Sequence, residues 1–193
     1  MKLIHGHGFN DGKYPTKINS KRLPQYEMWL GMIRRCYSHQ AQSKFPAYYG
    51  CSVSENFKSY SYFYEWYISK TAGLDFDFCL DKDLLVKGNL IYSEDLCLIV
   101  PRDVNNSIML SKWKRGKYLI GVTFASRRNK FRAQLSVNGQ NQDLGYFNTE
   151  IEAFTAYKEG KEKYLAFLAN KHIDILPKIA YLALIKYKVE KDD

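Results

Sequence analysis

Between Tyr118 and Tyr146 apolar and polar residues alternate in three short runs separated by turn residues. The first, Tyr118 to Phe124, ends at Ser126-Arg127-Arg128-Asn129. The second, Lys130 to Val137, ends at Asn138-Gly139, a dipeptide that favours a tight hairpin; the third covers Gln140 to Tyr146. In the second run Phe131, Ala133, Leu135 and Val137 fall on one face of a strand, and Lys130, Arg132, Gln134 and Ser136 on the other. The period then changes. Thr149 and Glu152 have the spacing of a capping box, and Ala153, Ala156, Tyr157, Gly160, Tyr164 and Phe167 recur at helical intervals. A one-sided sheet and an amphipathic helix each need a cover, so this stretch predicts three antiparallel strands packed on one helix, with the other sheet face open to solvent. Gly160 inside the helix costs about 1 kcal/mol relative to Ala, which close packing on the sheet would explain.

Upstream, helical periodicity recurs twice. Pro24 to Tyr37 carries the stripe Tyr26, Trp29, Ile33 and Tyr37; about Ser54 to Ser69 carries Phe57, Tyr60, Phe63, Tyr64 and Tyr67, read as core rather than as a base-stacking platform. Leu80 to Asn106 predicts a strand, a loop around Lys87-Gly88-Asn89, a short strand ending near Pro101 and a helical turn. Pro177 opens a last helix, Lys178 to Lys188. Its Ile179, Tyr181, Leu182, Leu184 and Ile185 are candidates to pack back on the chain or against a second copy in a homodimer. Residues 1–23 are polar, with four glycines or prolines and the cations Lys13, Lys17, Lys21 and Arg22, and predict a flexible basic arm. The expected fold class is α+β: an arm over 1–23, a domain over 24–112, the sheet-and-helix domain over 113–175 and a C-terminal helix over 176–193.

Charge turns this scaffold towards a polyanionic partner. The 193 residues carry a formal charge of +9, and no Asp or Glu occurs from Val104 to Gln142. The predicted open face holds Thr123, Arg132 and Gln134, rimmed by Arg127, Arg128 and Lys130. Such a face suits the major groove of double-stranded DNA, which admits a β-ribbon and is read by bidentate Arg and Gln contacts. No apolar run reaches membrane-spanning length, and Met1-Lys2-Leu3-Ile4 leads into polar residues, so a cytoplasmic protein without a secretory signal is expected. Cys36, Cys51, Cys79 and Cys97 lie far apart without a C-x-x-C pair, and His5 and His7 have no acidic or thiol neighbour; reduced thiols and no bound metal or cofactor are expected.

The run Gly121-Val122-Thr123-Phe124, turn, Lys130 to Leu135, turn, Leu144 to Tyr157 resembles the AP2 DNA-binding domain of plant transcription factors and phage homing endonucleases. The resemblance covers about 55 residues and rests on Gly-Val in the first strand, aromatic-x-Ala-x-aliphatic in the second, and Leu-Gly-x-Phe before the helix. It implies a sheet lying in the major groove, with Thr123, Ala125, Arg132, Gln134, Ser136, Asn141 and Asp143 as base-facing candidates. Several family positions that carry Arg or Trp are Ala125, Ser136 and Asp143 here, so the target sequence does not carry over.

The N-terminal half resembles phage proteins of the HNH homing-endonuclease type. The resemblance rests on Trp29, Met32, Arg35 and Cys36, then Tyr48 to Val53, then Tyr60, Phe63 and Trp66, then Leu80-Asp81-Lys82-Asp83 with Tyr92-Ser93 and Cys97, and last the pair Asn105-Asn106. It implies a ββα nuclease unit with a His base and one divalent metal. The base position is Lys82, and a Lys protonated near neutral pH is a poor base; the central polar position is Leu96; the last, Asn105 or Asn106, keeps a plausible residue. Two readings follow. One is a degenerate HNH-like fold without chemistry, in a protein that binds a DNA site and represses transcription by occupying it in a phage or mobile-element setting. The other is an active site-specific endonuclease in which Asp81, Asp83 and Asn105 bind Mg²⁺, with His39 or no protein side chain as the base. An RNA-binding protein, suggested by aromatic richness alone, is a third.

Overall fold

The computed structural model describes residues 3–72, 74–108 and 116–193, and backbone contacts divide it into Met1–Val100 and Pro101–Asp193. The division expected at 112/113 lies outside the described residues. The helical turn expected to end the N-terminal domain counts with the C-terminal unit instead.

In the N-terminal unit the segment predicted as a flexible basic arm is docked over its described length. Its small and aromatic residues decide this, not its lysines. Gly8 lies so close to Ile33 and Trp29 that an added Cβ would come within 3.0 to 3.2 Å of them, and His7 stacks on Tyr37 with ring centroids 3.7 Å apart. Tyr14 stacks on Tyr64 at 4.0 Å, Lys13 pairs with Glu65 at 2.7 Å, and the Tyr60 hydroxyl donates to the Pro15 carbonyl at 2.9 Å. A two-residue hairpin follows, β1 (Lys17–Ile18) and β2 (Lys21–Arg22), turned through Asn19 and Ser20 at positive φ.

Helix α1 (Pro24–Tyr37) has the predicted bounds, with Pro24 in its first turn, where its missing N–H costs nothing. It buries Trp29, Met32, Ile33 and Cys36, and α2 (His39–Lys44) and a 3₁₀ turn at Pro46–Tyr48 lead to β3 (Ser52–Val53). The single helix predicted over 54–69 is two, α3 (Glu55–Lys58) and α4 (Tyr60–Thr71). The break at Ser59 is made by Phe9, whose N–H donates to Lys58 O at 2.9 Å and whose carbonyl accepts from Tyr60 N at 3.0 Å. The hydroxyls of Ser54 and Ser59 cap the two pieces. The aromatic stripe is core, as read: Trp29, Phe57, Tyr60 and Phe63 are fully buried and meet at tilted or edge-on angles. Strands β4 (Phe78–Asp81) and β6 (Leu98–Pro101) pair with each other, and β5 (Ile91–Tyr92) pairs in parallel with β3.

The C-terminal unit opens with α5 (Arg102–Ile108). Its three-stranded antiparallel sheet has the order β7 (Val122–Ala125), β8 (Lys130–Val137), β9 (Gln140–Phe147). β8 has the predicted bounds; β7 starts four residues later than predicted, because 119–122 forms a turn closed by Val122 N to Leu119 O at 3.0 Å. Helix α6 (Glu150–Lys171) begins with both bonds of the predicted capping box and packs on the sheet. Gly160 sits where an added Cβ would meet Leu144 Cδ1 at 2.9 Å, the close approach its presence suggests. Past Gly160 the buried face turns. Leu165, Leu168 and Ala169 are buried instead of Tyr164 and Phe167, and Phe167 is 59 % exposed. The 22-residue helix outruns the sheet, and its second half is covered by α7 (Lys178–Ile185) and by the chain end, where Tyr187 and Val189 are buried and Val189 N donates to Glu162 at 3.0 Å. The C-terminal helix therefore packs back on its own chain through Ala180 and Leu184. Helix α5 is held to α6 by polar bonds: His172 Nε2 meets Asp103 at 2.9 Å, and the buried Lys161 ammonium, its pKa pushed down to about 8 by burial, donates to Ser107 O.

Among the described residues no helix is long and apolar enough to cross a membrane.

Candidate nucleic-acid interface

Residues directly opposite in an antiparallel pair share a face. Val122, Phe124, Phe131, Ala133 and Leu135 form the side towards α6, with Ala133 and Leu135 buried and Phe131 flanked by Tyr118 and Phe124. The other side is uncovered in this unit. Thr123 lies opposite Arg132, Ala125 opposite Lys130, Gln134 opposite Asp143 and Ser136 opposite Asn141. Thr123, Lys130, Ser136, Asn141 and Asp143 are exposed, and Arg132 and Gln134 are half-buried. Arg127 and Arg128 are exposed in the 3₁₀ turn Ser126–Arg128, which Asn129 closes in the left-handed conformation at φ 47°. The sequence-predicted side chains of the sheet thus gather on one surface, with the cationic turn at its edge.

Two features of that surface are absent from the sequence reading. Tyr146, opposite Arg132, lies under the cations, with the Arg128 guanidinium 4.2 Å and that of Arg132 5.9 Å from its ring centroid. Asp143 ties the face together. Arg132 Nε donates to its Oδ1 at 2.7 Å, Arg132 Nη2 bonds the same oxygen, and Gln134 Nε2 donates to it at 3.2 Å. The hairpin register makes this possible: regular pairing from Val137–Gln140 runs through Ser136–Asn141 to Gln134–Asp143. Beyond Asp143 the register shifts, with Leu144 as the extra residue of β9, and this bulge turns Tyr146 onto the open face opposite Arg132, where regular pairing would have put Gly145.

The N-terminal unit holds the positions that the nuclease resemblance singles out, except the last, the Asn105-Asn106 pair. Lys82 is buried, and its ammonium bonds both carboxylate oxygens of Asp83, at 2.8 and 2.9 Å, and the Asn89 carbonyl. Asn89 returns the contact, donating to Lys82 O at 2.9 Å and to Ile91 O at 2.7 Å. Lys82 and Asn89 together close the long 82–91 loop, so Lys82 acts as a clamp. The Asp81 carboxylate accepts from Leu84 N at 2.7 Å and Asp83 N at 3.0 Å. Leu96 is half-buried in the turn before β6 and brings no polar atom; Asn105 lies on α5, in the other unit. Among the described residues no group of three or more His, Cys, Asp or Glu side chains is placed to hold a metal. Around the clamp, Arg35 Nε donates to the Tyr92 hydroxyl at 3.1 Å, and burial pushes the Cys36 and Cys97 thiols up to about 12. Cys36, Cys51 and Cys97 are free thiols.

Burial, then the nearby Asp83 charge, raises the Asp81 carboxyl to about 6 against the opposing N–H bond from Leu84. Its folded pKa lies above its unfolded value, so the folded state holds the proton more tightly. The buried charge then weighs against folding above about pH 6, and the penalty fades as the pH falls towards 4. Asp81→Asn keeps an acceptor for the two N–H groups without the charge. The stability of the wild type relative to this variant should rise by roughly 2 kcal/mol between pH 7.5 and pH 4.5. Denaturant unfolding of both proteins at the two pH values checks this, and a constant difference would exclude a raised Asp81 pKa.

Comparison with protein-family models, with curated proteins and with solved structures finds no match for this chain.

Proposed function

We propose that this protein binds a specific sequence in double-stranded DNA by laying the open face of β7–β8–β9 in the major groove. It acts by occupying its site, as a repressor in a phage or mobile-element setting, and descends from an HNH homing endonuclease with an AP2-type DNA-binding domain. The observation that carries the reading is the gathering of Thr123, Arg132, Gln134, Ser136 and Asn141 on one uncovered sheet face beside Arg127, Arg128 and Lys130. Three strands spaced by about 4.8 Å place the outer two about 10 Å apart, a width that a groove about 12 Å wide accepts. Arg and Gln supply the paired donors and acceptors that read guanine and adenine edges, and the cationic turn supplies phosphate contacts.

Occupancy without cleavage is favoured by the state of the nuclease positions. A Lys82 ammonium held by Asp83 and a backbone carbonyl has no lone pair with which to take a proton from water. Asp83 is engaged by that ammonium, and Asp81 by two backbone N–H groups.

The test starts from a random duplex library. The protein should enrich one sequence, and binding to it should fall with salt at a log–log slope of about −3 to −5, as three to five neutralised phosphates dictate. Single-stranded RNA should compete poorly. The enriched duplex, labelled and incubated with Mg²⁺ or Mn²⁺, should stay intact under denaturing electrophoresis. Enrichment of no sequence would sink the reading; site-specific cleavage abolished by Asp81→Ala would replace it with the endonuclease.

A further inference from the structure

Asp143 is the acid that follows the long acid-free stretch, and it stands on the surface proposed to face DNA, on the outer strand β9. A carboxylate there repels phosphates and the guanine O6 and N7 acceptors. The hairpin register nevertheless sets it on this face, opposite Gln134 and bonded to both Gln134 and Arg132. We infer that Asp143 is a specificity-determining residue. It restrains Arg132 and Gln134 in the unbound protein and selects a C·G base pair, accepting from cytosine N4 while Arg132 donates to guanine. The inference rests on the groove-reading function proposed above.

Two properties of the cluster carry it. Arg132 and Gln134 both donate to Oδ1, so a single carboxylate oxygen restrains the two side chains best suited to base contacts. A random duplex must draw them away from a charged partner and leave that partner facing acceptors, which lowers non-specific affinity. A C·G pair presents an amino donor beside the O6 and N7 acceptors. The Asp143–Arg132 pair offers an acceptor beside donors, so the two patterns are complementary without breaking the ion pair. Adenine also presents an amino group, but its own N7 acceptor lies next to it and opposes the carboxylate. A thymine or guanine facing Asp143 offers no donor and is rejected.

The experiment compares wild type, Asp143→Asn and Asp143→Ala by selection from a random duplex library and by titration with a random-sequence duplex. Thermal melting controls for the fold, which an exposed residue should leave unchanged. The wild type should enrich a site with cytosine at one position. Asp143→Ala should lose the preference there and keep it elsewhere, and should bind the random duplex about tenfold more tightly, since a repulsive and restraining charge is gone. Asp143→Asn, which can also donate, should change or widen the preference at that position. If the wild type enriches a site and both variants keep the same preference and the same random-duplex affinity, the inference fails and the groove reading stands. If the wild type enriches no site, both fail.

Discussion

Gly121→Ala is expected to unfold the C-terminal unit or come close to it. Gly121 has φ +75°, a conformation that an L side chain adopts with strain, and the added methyl would fall inside the Tyr157 ring, 2.5 Å from Cε2 and closer still to Cγ and Cδ2. Tyr157 is buried where α6 crosses the sheet, so the ring has little room to retreat. Overpacking plus backbone strain should cost roughly 3 kcal/mol or more. Gly139, at φ +79° in the β8–β9 turn, makes the control, because an added Cβ there meets nothing within 4 Å. Gly139→Ala should cost about 1 kcal/mol, the strain alone. Chemical denaturation of the two variants separates the contributions. Equal losses would mean that the Gly121–Tyr157 contact is not what seats the helix on the sheet.

That contact also marks the limit of what the sequence announces. β8 and the start of α6 were legible because each has a local cause: alternation closed by Asn138-Gly139, and a capping box at Thr149 and Glu152. The α+β class and the sheet packed on one helix follow from those causes. Features made by distant partners were not legible. The break at Ser59 depends on Phe9 inserting its backbone between Lys58 and Tyr60, and within 54–69 only the capping hydroxyl of Ser59 hints at it. The docking of residues 3–23 depends on Gly8 meeting Trp29 and Ile33. The drift of α6 after Gly160 depends on α7 and the chain end replacing the sheet as partner. On the candidate interface the side chains were legible from alternation, since opposition across β7 and β8 is regular. So was the place of Asp143, which regular pairing from the Asn138-Gly139 turn sets opposite Gln134. The place of Tyr146 opposite Arg132 was not, because a bulge of one residue reverses every orientation beyond it. Gly145, next to the extra residue Leu144, is the signal that was present: an isolated glycine within a strand often marks a bulge.

Arg132→Ala and Gln134→Ala should each weaken binding to the selected duplex by about 1–3 kcal/mol while leaving the unit folded, because both side chains lie on the uncovered face and each supports a bidentate base contact. The two are not equivalent. Gln134→Ala removes a neutral reader and leaves the Arg132–Asp143 pair in place. Arg132→Ala removes a reader and also leaves the Asp143 carboxylate without its cation, facing the duplex, so it should cost more. The excess belongs to Asp143 and should vanish when that residue is already alanine: Arg132→Ala should cost less in an Asp143→Ala background than in the wild type. A double-mutant cycle on duplex affinity reads this coupling directly, since the residues touch and additivity is not expected between them. A cycle that closes additively would mean that the ion pair is a surface contact with no part in recognition. Unchanged affinity in both single variants would remove the sheet from the groove altogether.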